Sequence, residues 1–331
     1  MIRSVVLLAV GFWFCLPCCT GQEFSTTPVQ TVQIDHGELS VVLRDNSQSP
    51  KVLSGVQSLW NRRHAPGFDA FDPDGRGASA GLNFEHIISG HRNPNNKFTP
   101  RHGRYQLYPS ADGRSAKLAR RRQDSPWDVS SGLTYTVAEP NAIDFRFRCT
   151  PHDAARFGAR SYAVLFFANY MNDVQDVAIH FRGIDREGGA ERWIAADAPP
   201  GPADWNQGGT YRHVRADDLQ VDADQEFRLN NWSYDYPRFT KPFYYGRAAN
   251  GMALILMFDR AWSLEDEIRF SLFKFKVPRH PRPAWDFQYV IHQVQAEREY
   301  GFRGRLIWKP FASAADCLEE YEAWRAELKA G

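Results

Sequence analysis

Cysteine is scarce: five in 331 residues, three of them within the first 19. Beyond that stretch only Cys149 and Cys317 remain, so this is no disulfide-built scaffold. One bridge or two separately buried thiols both stay open, and a chain this long needs no bridge to fold. Net charge is almost absent, with 40 Lys and Arg against 39 Asp and Glu. That balance excludes a general field able to hold nucleic acid or an acidic membrane. No apolar run reaches the roughly 20 residues that span a bilayer. Gly-x-Ser-x-Gly is missing, as are a Cys–His arrangement and a Gly-rich phosphate loop, which removes the familiar nucleophile and nucleotide sites. There is no internal repeat, no low-complexity tract and no stretch resembling a flexible linker.

The first residues point to export. Met1-Ile2-Arg3 is a basic tip, Val5 to Leu16 is apolar, and small residues at Cys18, Cys19, Thr20 and Gly21 precede Gln22. That order predicts a signal peptide over 1–21 and a secreted or periplasmic product. Acylation of Cys18 or Cys19 is the lesser alternative, because Leu16 and Pro17 fit a lipidation site poorly. Residues 22–331 then read as a single domain, since strand-like segments recur from Val32 to Trp308 without a change of character.

Period-two alternation dominates. Ile143, Phe145, Phe147 and Cys149 share one face, leaving Asp144, Arg146 and Arg148 on the other. Leu133, Tyr135 and Val137 behave alike, as do Val177, Ile179 and Phe181 against His180 and Arg182. Trp285, Phe287, Tyr289 and Ile291 alternate with Asp286, Gln288 and Val290, and His292 follows. Tyr162 to Phe167 and Met252 to Phe258 are apolar on both faces and predict central strands. Asn250-Gly251 between apolar runs is a hairpin signal. Ser313 and Asp316 resemble a capping box, and Cys317, Leu318, Tyr321, Trp324 and Leu328 form one stripe, predicting a helix over 314–328. The fold class is all-β: a large antiparallel β-sandwich, supersandwich-like, with a C-terminal helix. The longest irregular runs are expected at 61–80, 93–103 and 196–241.

Three constellations carry chemistry. Asn230 to Phe239 and Pro242 to Arg247 interleave aromatic rings with hydrogen-bonding groups, the mixture a sugar's C–H faces and hydroxyls require. Trp232, Tyr234, Tyr236, Tyr244, Tyr245 and Arg247 are candidate binding residues there, with Trp205 and Arg146; Asp235 is a candidate acid or base. Packing of the same rings against the sandwich is the competing reading. The second constellation is Glu85-His86, natural partners for proton transfer. Strand parity puts them on opposite faces, with His86 beside Leu82 and Phe84, unless a bulge re-aims the chain. The third is the set of polar strand faces, with Asp144 and His180 as candidate base and acid and Gln288 and His292 nearby. If those strands are neighbours, the faces form one floor; otherwise they are ordinary solvated faces with Asp–Arg pairs.

Neither the histidines at 86, 91 and 102 nor Asp69, Asp72 and Asp74 have the spacing of a structural zinc site or a calcium-binding helix-loop-helix. No cofactor is expected; calcium on a loop carboxylate set is the form a metal would take. Arg114, Lys117, Arg120, Arg121 and Arg122 make the one basic cluster, suited to an exposed strand or to an acidic polysaccharide.

An exported, nearly all-β chain with polar strand faces and aromatic loops resembles the galactose-mutarotase-like supersandwich proteins. These include aldose epimerases, the sandwich domains of polysaccharide lyases, and sandwiches appended to glycoside hydrolases. The resemblance implies a carbohydrate partner, and a histidine and a carboxylate on a concave sheet. His180 and Asp144 fit those roles by strand position, Glu85 and His86 by local context. A concanavalin-like jelly roll is the competing fold. A glycan-degrading enzyme or sugar epimerase is the leading expectation, and a non-catalytic extracellular carbohydrate-binding sandwich is the alternative. No nucleic acid and no membrane span are expected.

Overall fold

Alternation becomes architecture through register. The computed structural model describes residues 22–47, 53–71, 81–90, 104–197, 207–223, 234–275 and 282–330, with the backbone alone for 207 and 234–236. The signal peptide expected over 1–21, together with Trp205, Trp232, Asp72, Asp74, His91 and His102, lies outside the described residues.

The strands are β1 (Thr31–His36), β2 (Leu39–Arg44), β3 (Gly55–Asn61), β4 (Asn83–Ile88), β5 (Gln106–Pro109), β6 (Ser115–Arg120), β7 (Val129–Ala138), β8 (Ala142–Pro151) and β9 (Ala163–Ala168). They continue as β10 (Val174–Ile184), β11 (Arg192–Ala196), β12 (Gln207–His213), β13 (Tyr234–Phe239), β14 (Phe243–Ala248), β15 (Met252–Phe258), β16 (Asp266–Lys274), β17 (Pro283–Ile291) and β18 (Tyr300–Pro310). β1, β2 and β3 form a small meander; the others make one 15-stranded sheet in the order β4-β9-β17-β16-β12-β13-β10-β14-β15-β18-β8-β7-β6-β5, with β11 on β10.

That sheet folds on itself. Phe145 and Phe147 of β8 meet Phe287 of β17 and Phe167 of β9 at centroid distances of 6.1 and 5.0 Å. Phe84 of β4 also meets Phe147 at 4.9 Å, and Phe258 of β15 meets Phe287 at 4.8 Å. The inward residues of both halves thus share one core. A first layer runs from β4 to β12, a second from β10 to β5, and β13 turns the corner. Each aromatic removes a large apolar area from water and stacks or meets edge to face, so this interior dominates the stability.

The pairings are antiparallel except that β12 and β13 run parallel. The 196–241 segment, expected to be irregular, contains both strands; Gly208 and Gly209 and the polar Tyr234 to Arg238 hide the apolar alternation there. The Asn250-Gly251 turn links β14 to β15 with φ of 57° and 68°, the pair of positive values that a tight hairpin of this hand needs.

The helix α1 (Ala314–Ala330) buries Cys317, Tyr321 and Trp324, while Leu318 is half-buried. The Ser313 hydroxyl accepts the Asp316 N–H at 3.0 Å. The shorter Asp side chain does not complete the capping box; its carboxylate takes the Lys309 ammonium at 2.9 Å instead. α1 packs over Phe243, Tyr245, Ile255 and Met257 on the outside of the second layer. Cys149 and Cys317 are free, buried thiols in separate clusters, and burial pushes the Cys317 thiol up to about 12. Among the described residues no helix is long and apolar enough to cross a membrane.

Candidate functional site

The outer face of the first layer is polar and yet buried. Register places His86 of β4 opposite Phe166 of β9, Phe166 opposite Gln288 of β17, and Gln288 opposite Arg269 of β16. The next row sets Asp286 against Ser271, and Ser271 against Thr210. All of these side chains are buried. Gln288 donates to the Thr210 hydroxyl at 3.1 Å, and Arg269 Nε donates to Glu267 Oε1 at 3.0 Å. The same Glu267 oxygen lies 3.2 Å from His292 Nε2.

A β-bulge brings the acid–base pair together. Phe84 faces Phe167 and His86 faces Phe166, so consecutive residues of β9 answer to alternate residues of β4. Glu85 is the extra residue, and the bulge turns it to the side His86 occupies. Its Oε2 lies 3.3 Å from His86 Nε2, and its Oε1 accepts the Tyr170 hydroxyl at 2.5 Å. Glu85 is 3% and His86 2% exposed. The face expected for His86 is therefore corrected: Leu82 and Phe84 belong to the core, while His86 stands over Phe166 at 5.8 Å. Past the bulge the parity inverts.

The electrostatics around the pair are uneven. Burial pushes the Asp286 carboxyl well above the ordinary range and the Glu85 charge adds to this, while the Asn169 N–H, donating at 2.8 Å, opposes it. Burial also works against ionisation of Glu267, but the Arg269 charge and bonds from His292 and Arg269 outweigh it and hold Glu267 low. His292 feels the converse: burial depresses it, and the bond and charge of Glu267 raise it overall. Among the described residues both amide atoms of Asn83, Gln288 Oε1 and Glu267 Oε2 are buried without a hydrogen-bond partner. Asn83 faces Ala168, on the His86 side of the layer. Orphaned polar atoms in a buried cluster carry a cost that a hydroxyl-rich ligand or water would offset.

The remaining expected site residues lie elsewhere. Asp144 accepts from Arg305 at 2.6 and 3.0 Å on the outer face of the second layer, and Arg146 shares that face. His180 Nε2 is 2.8 Å from Asp176, and its ring stacks on Tyr245 at 4.8 Å beside the helix. Tyr244 is in the core, its hydroxyl 2.9 Å from the Trp285 carbonyl. Arg247 donates to Gln175 at 2.8 Å and lies over the Phe311 ring. Tyr234, Asp235 and Tyr236 are on the corner strand β13. Asp144, Arg146 and His180 thus do not form one floor with Gln288, because Phe145 and Phe287 point into the shared core and send their neighbours to opposite outsides. The loop carboxylate Asp69 accepts the Leu59 and Phe71 N–H groups at 2.9 and 3.1 Å. No group of three or more His, Cys, Asp or Glu is placed to hold a metal ion among the described residues. Tyr170, Asp286 and Arg269 join the site without having been singled out. Arg269 stood alone as a charge inside the run Ile268 to Phe273, a legible sign of a polar outer face.

No family model and no curated protein matches the chain. Among solved structures it is similar to the Slr1438 protein of Synechocystis sp. PCC 6803, with 9% identity over 87% of this chain and 99% of that one, at a TM-score of 0.51. The GalM/aldose epimerase homologue of C. elegans aligns with 10% identity over 85% of this chain and 99% of that one, at a TM-score of 0.41. The heparan sulfate lyase HepC of Pedobacter heparinus aligns with 10% identity over 86% of this chain and 35% of the lyase, at a TM-score of 0.44. The first likeness is one of fold alone, and the other two, below 0.5, carry no argument.

Proposed function

We propose that the chain is a carbohydrate-active enzyme whose acid–base centre is Glu85 with His86, reaching a sugar held on the outer face of the first layer. The observation that carries this reading is the bulge at Glu85, which sets a carboxylate and an imidazole 3.3 Å apart on one face. A base and an acid this close suit a proton removed from one atom of a sugar and delivered to a near neighbour. Ring opening at the anomeric carbon needs this, and so does elimination across a glycosidic linkage. Hydrolysis with two carboxylates flanking the bond asks for a wider separation, on the order of 5–10 Å. Asn83 and Gln288 supply unpartnered amide atoms for hydroxyls. Tyr170 holds Glu85 in place.

Polarimetry of aldose anomers and the absorbance of unsaturated uronates would read the two chemistries. Glu85→Gln should lower turnover by about 10²–10⁴-fold with the melting curve little changed. Full activity in that variant would sink the assignment. The near-complete burial of the pair favours a second reading, a satisfied internal network in a non-catalytic sugar-binding sandwich. On that reading Glu85→Gln costs stability and no catalysis is found with either assay. Export is part of the first reading: mass spectrometry of the exported protein should find its N-terminus between Cys19 and Phe24, and a species retaining Met1 would reject it.

A further inference from the structure

The outer face of the second layer carries a row of cations unrelated to Glu85 and His86. Lys117 on β6 faces Thr134 on β7, Thr134 faces Arg146 on β8, and Arg146 faces Arg303 on β18. At the spacing of adjacent strands, Lys117 and Arg146 stand on the order of 10 Å apart, with Arg303 about 5 Å further along. One step along β8 on the same face, Arg148 is flanked by Gly132 and Gly301; the Lys117 stem passes over Gly132, its Cε 3.4 Å from where a Cβ would stand, and the Phe147 backbone fills the corresponding space at Gly301. Clefts of about 420 and 390 Å³ open on either side of Arg146 and Arg148, and a third of about 560 Å³ joins Arg146 to Arg305 and Trp324 at the edge of α1.

Three of these arginines already have acids: Arg148 has Glu299, Arg303 has Asp259 at 3.1 Å, and Arg305 has Asp144. Lys117 and Arg146 make no ion pair among the described residues. Exposed pairs are worth only about 0–1 kcal/mol, so Arg148 and Arg303 can turn to an incoming anion at little cost. The interleaved carboxylates and the near-zero net charge work against a densely charged phosphodiester backbone. They tolerate a polymer whose anionic groups are sparse and whose hydroxyls can meet Thr134.

We propose that this row is a surface subsite for an acidic polysaccharide, gripping its carboxylate or sulfate groups with Arg146 and Lys117 first. The full chain would be titrated calorimetrically with polygalacturonate oligomers, dextran sulfate and neutral dextran. At least one polyanion should bind, more weakly as salt rises, while neutral dextran does not; the first two arms separate carboxylate from sulfate. The double variant Lys117→Gln/Arg146→Gln should weaken that binding roughly tenfold or more with an unchanged melting curve. The control Arg192→Gln/Lys241→Gln, which removes the same charge at the β10 end of the second layer, away from β5 and β6, should not. Binding should persist in Glu85→Gln, so the row and the acid–base centre can fail separately. Absence of binding to both polyanions, equal loss in the two double variants, or tighter binding of a single-stranded DNA oligomer would each overturn the proposal.

Discussion

The two outer faces of the sandwich come from the same kind of strand and are put to opposite uses. On the second layer the outward positions of β8 and β18 carry Asp144, Arg146, Arg148, Arg303, Arg305 and Lys309, and several of these charges meet in pairs that reach water, such as Arg305 with Asp144 and Arg303 with Asp259. On the first layer the alternating positions of β16 and β17 are just as polar, yet Glu267, Arg269, Asp286 and Gln288 are buried. Water screens the first set and is withheld from the second. The difference teaches where chemistry can be done: a group in water keeps its ordinary proton affinity, whereas burial drives Asp286 up and a facing charge holds Glu267 down. A third of the story belongs to α1, which covers part of the second layer with an apolar stripe and leaves the rest to its charges.

Two substitutions should break the comparison most severely. Trp324 is buried where α1 meets the second layer, and Trp324→Ala should destabilise the chain by about 3–5 kcal/mol in denaturant unfolding. Arg269→Met should cost a similar ~3–5 kcal/mol, because it strands the fully buried Glu267 carboxylate with only His292 beside it. If Arg269→Met were as mild as an exposed-pair change, the first layer's face would be wetter than its burial indicates.

Much of the frame was legible in the sequence. Ile143 to Cys149 and Trp285 to Ile291 announced their inward faces by parity alone, Asn250-Gly251 announced a hairpin, and the helix began at the expected residue and ran two residues longer. The site was harder, for two physical reasons. A bulge is a property of a strand pair, so the displacement at Glu85 depends on how β9 lies alongside, which no local pattern reports. Covering is a property of the tertiary structure: Asp144 on β8 and Asp286 on β17 occupy equivalent places in the alternation, and only the assembled layers decide which carboxylate stays in water.

Asp286→Asn should have a smaller effect of opposite sign. In the folded chain this carboxyl holds its proton above the pH at which the unfolded chain releases it. Its contribution is therefore fully present below the ordinary aspartate value of 3.8 and is lost as pH rises toward the folded value. Asparagine keeps the acceptor for the Asn169 N–H and cannot ionise. The variant's melting midpoint should match the parent's near pH 4 and exceed it increasingly toward neutral pH. A pH-independent difference would mean that Asp286 is not the buried acid described.

The smallest effect is expected at Asp144, and it sharpens the comparison most. Its carboxylate is 38% exposed and Arg305 has a second partner in Glu327 at 3.0 Å. Asp144→Asn removes one of two acids from a half-buried guanidinium that keeps Glu327 as its partner, so the expected cost is about 1 kcal/mol, at the upper end for a surface pair. Raising the salt concentration should shrink even that, since exposed charges are screened over a Debye length of about 8–10 Å. In any assay that responds to Glu85→Gln, turnover should be unchanged, because Asp144 and Glu85 are on opposite layers with the aromatic core between them. A loss of turnover at Asp144 with stability intact would move the chemistry to the second layer, to the cleft that Asp144 shares with Arg146. The buried polar face of the first layer would then be a structural network, and the roles assigned to the two faces would be exchanged.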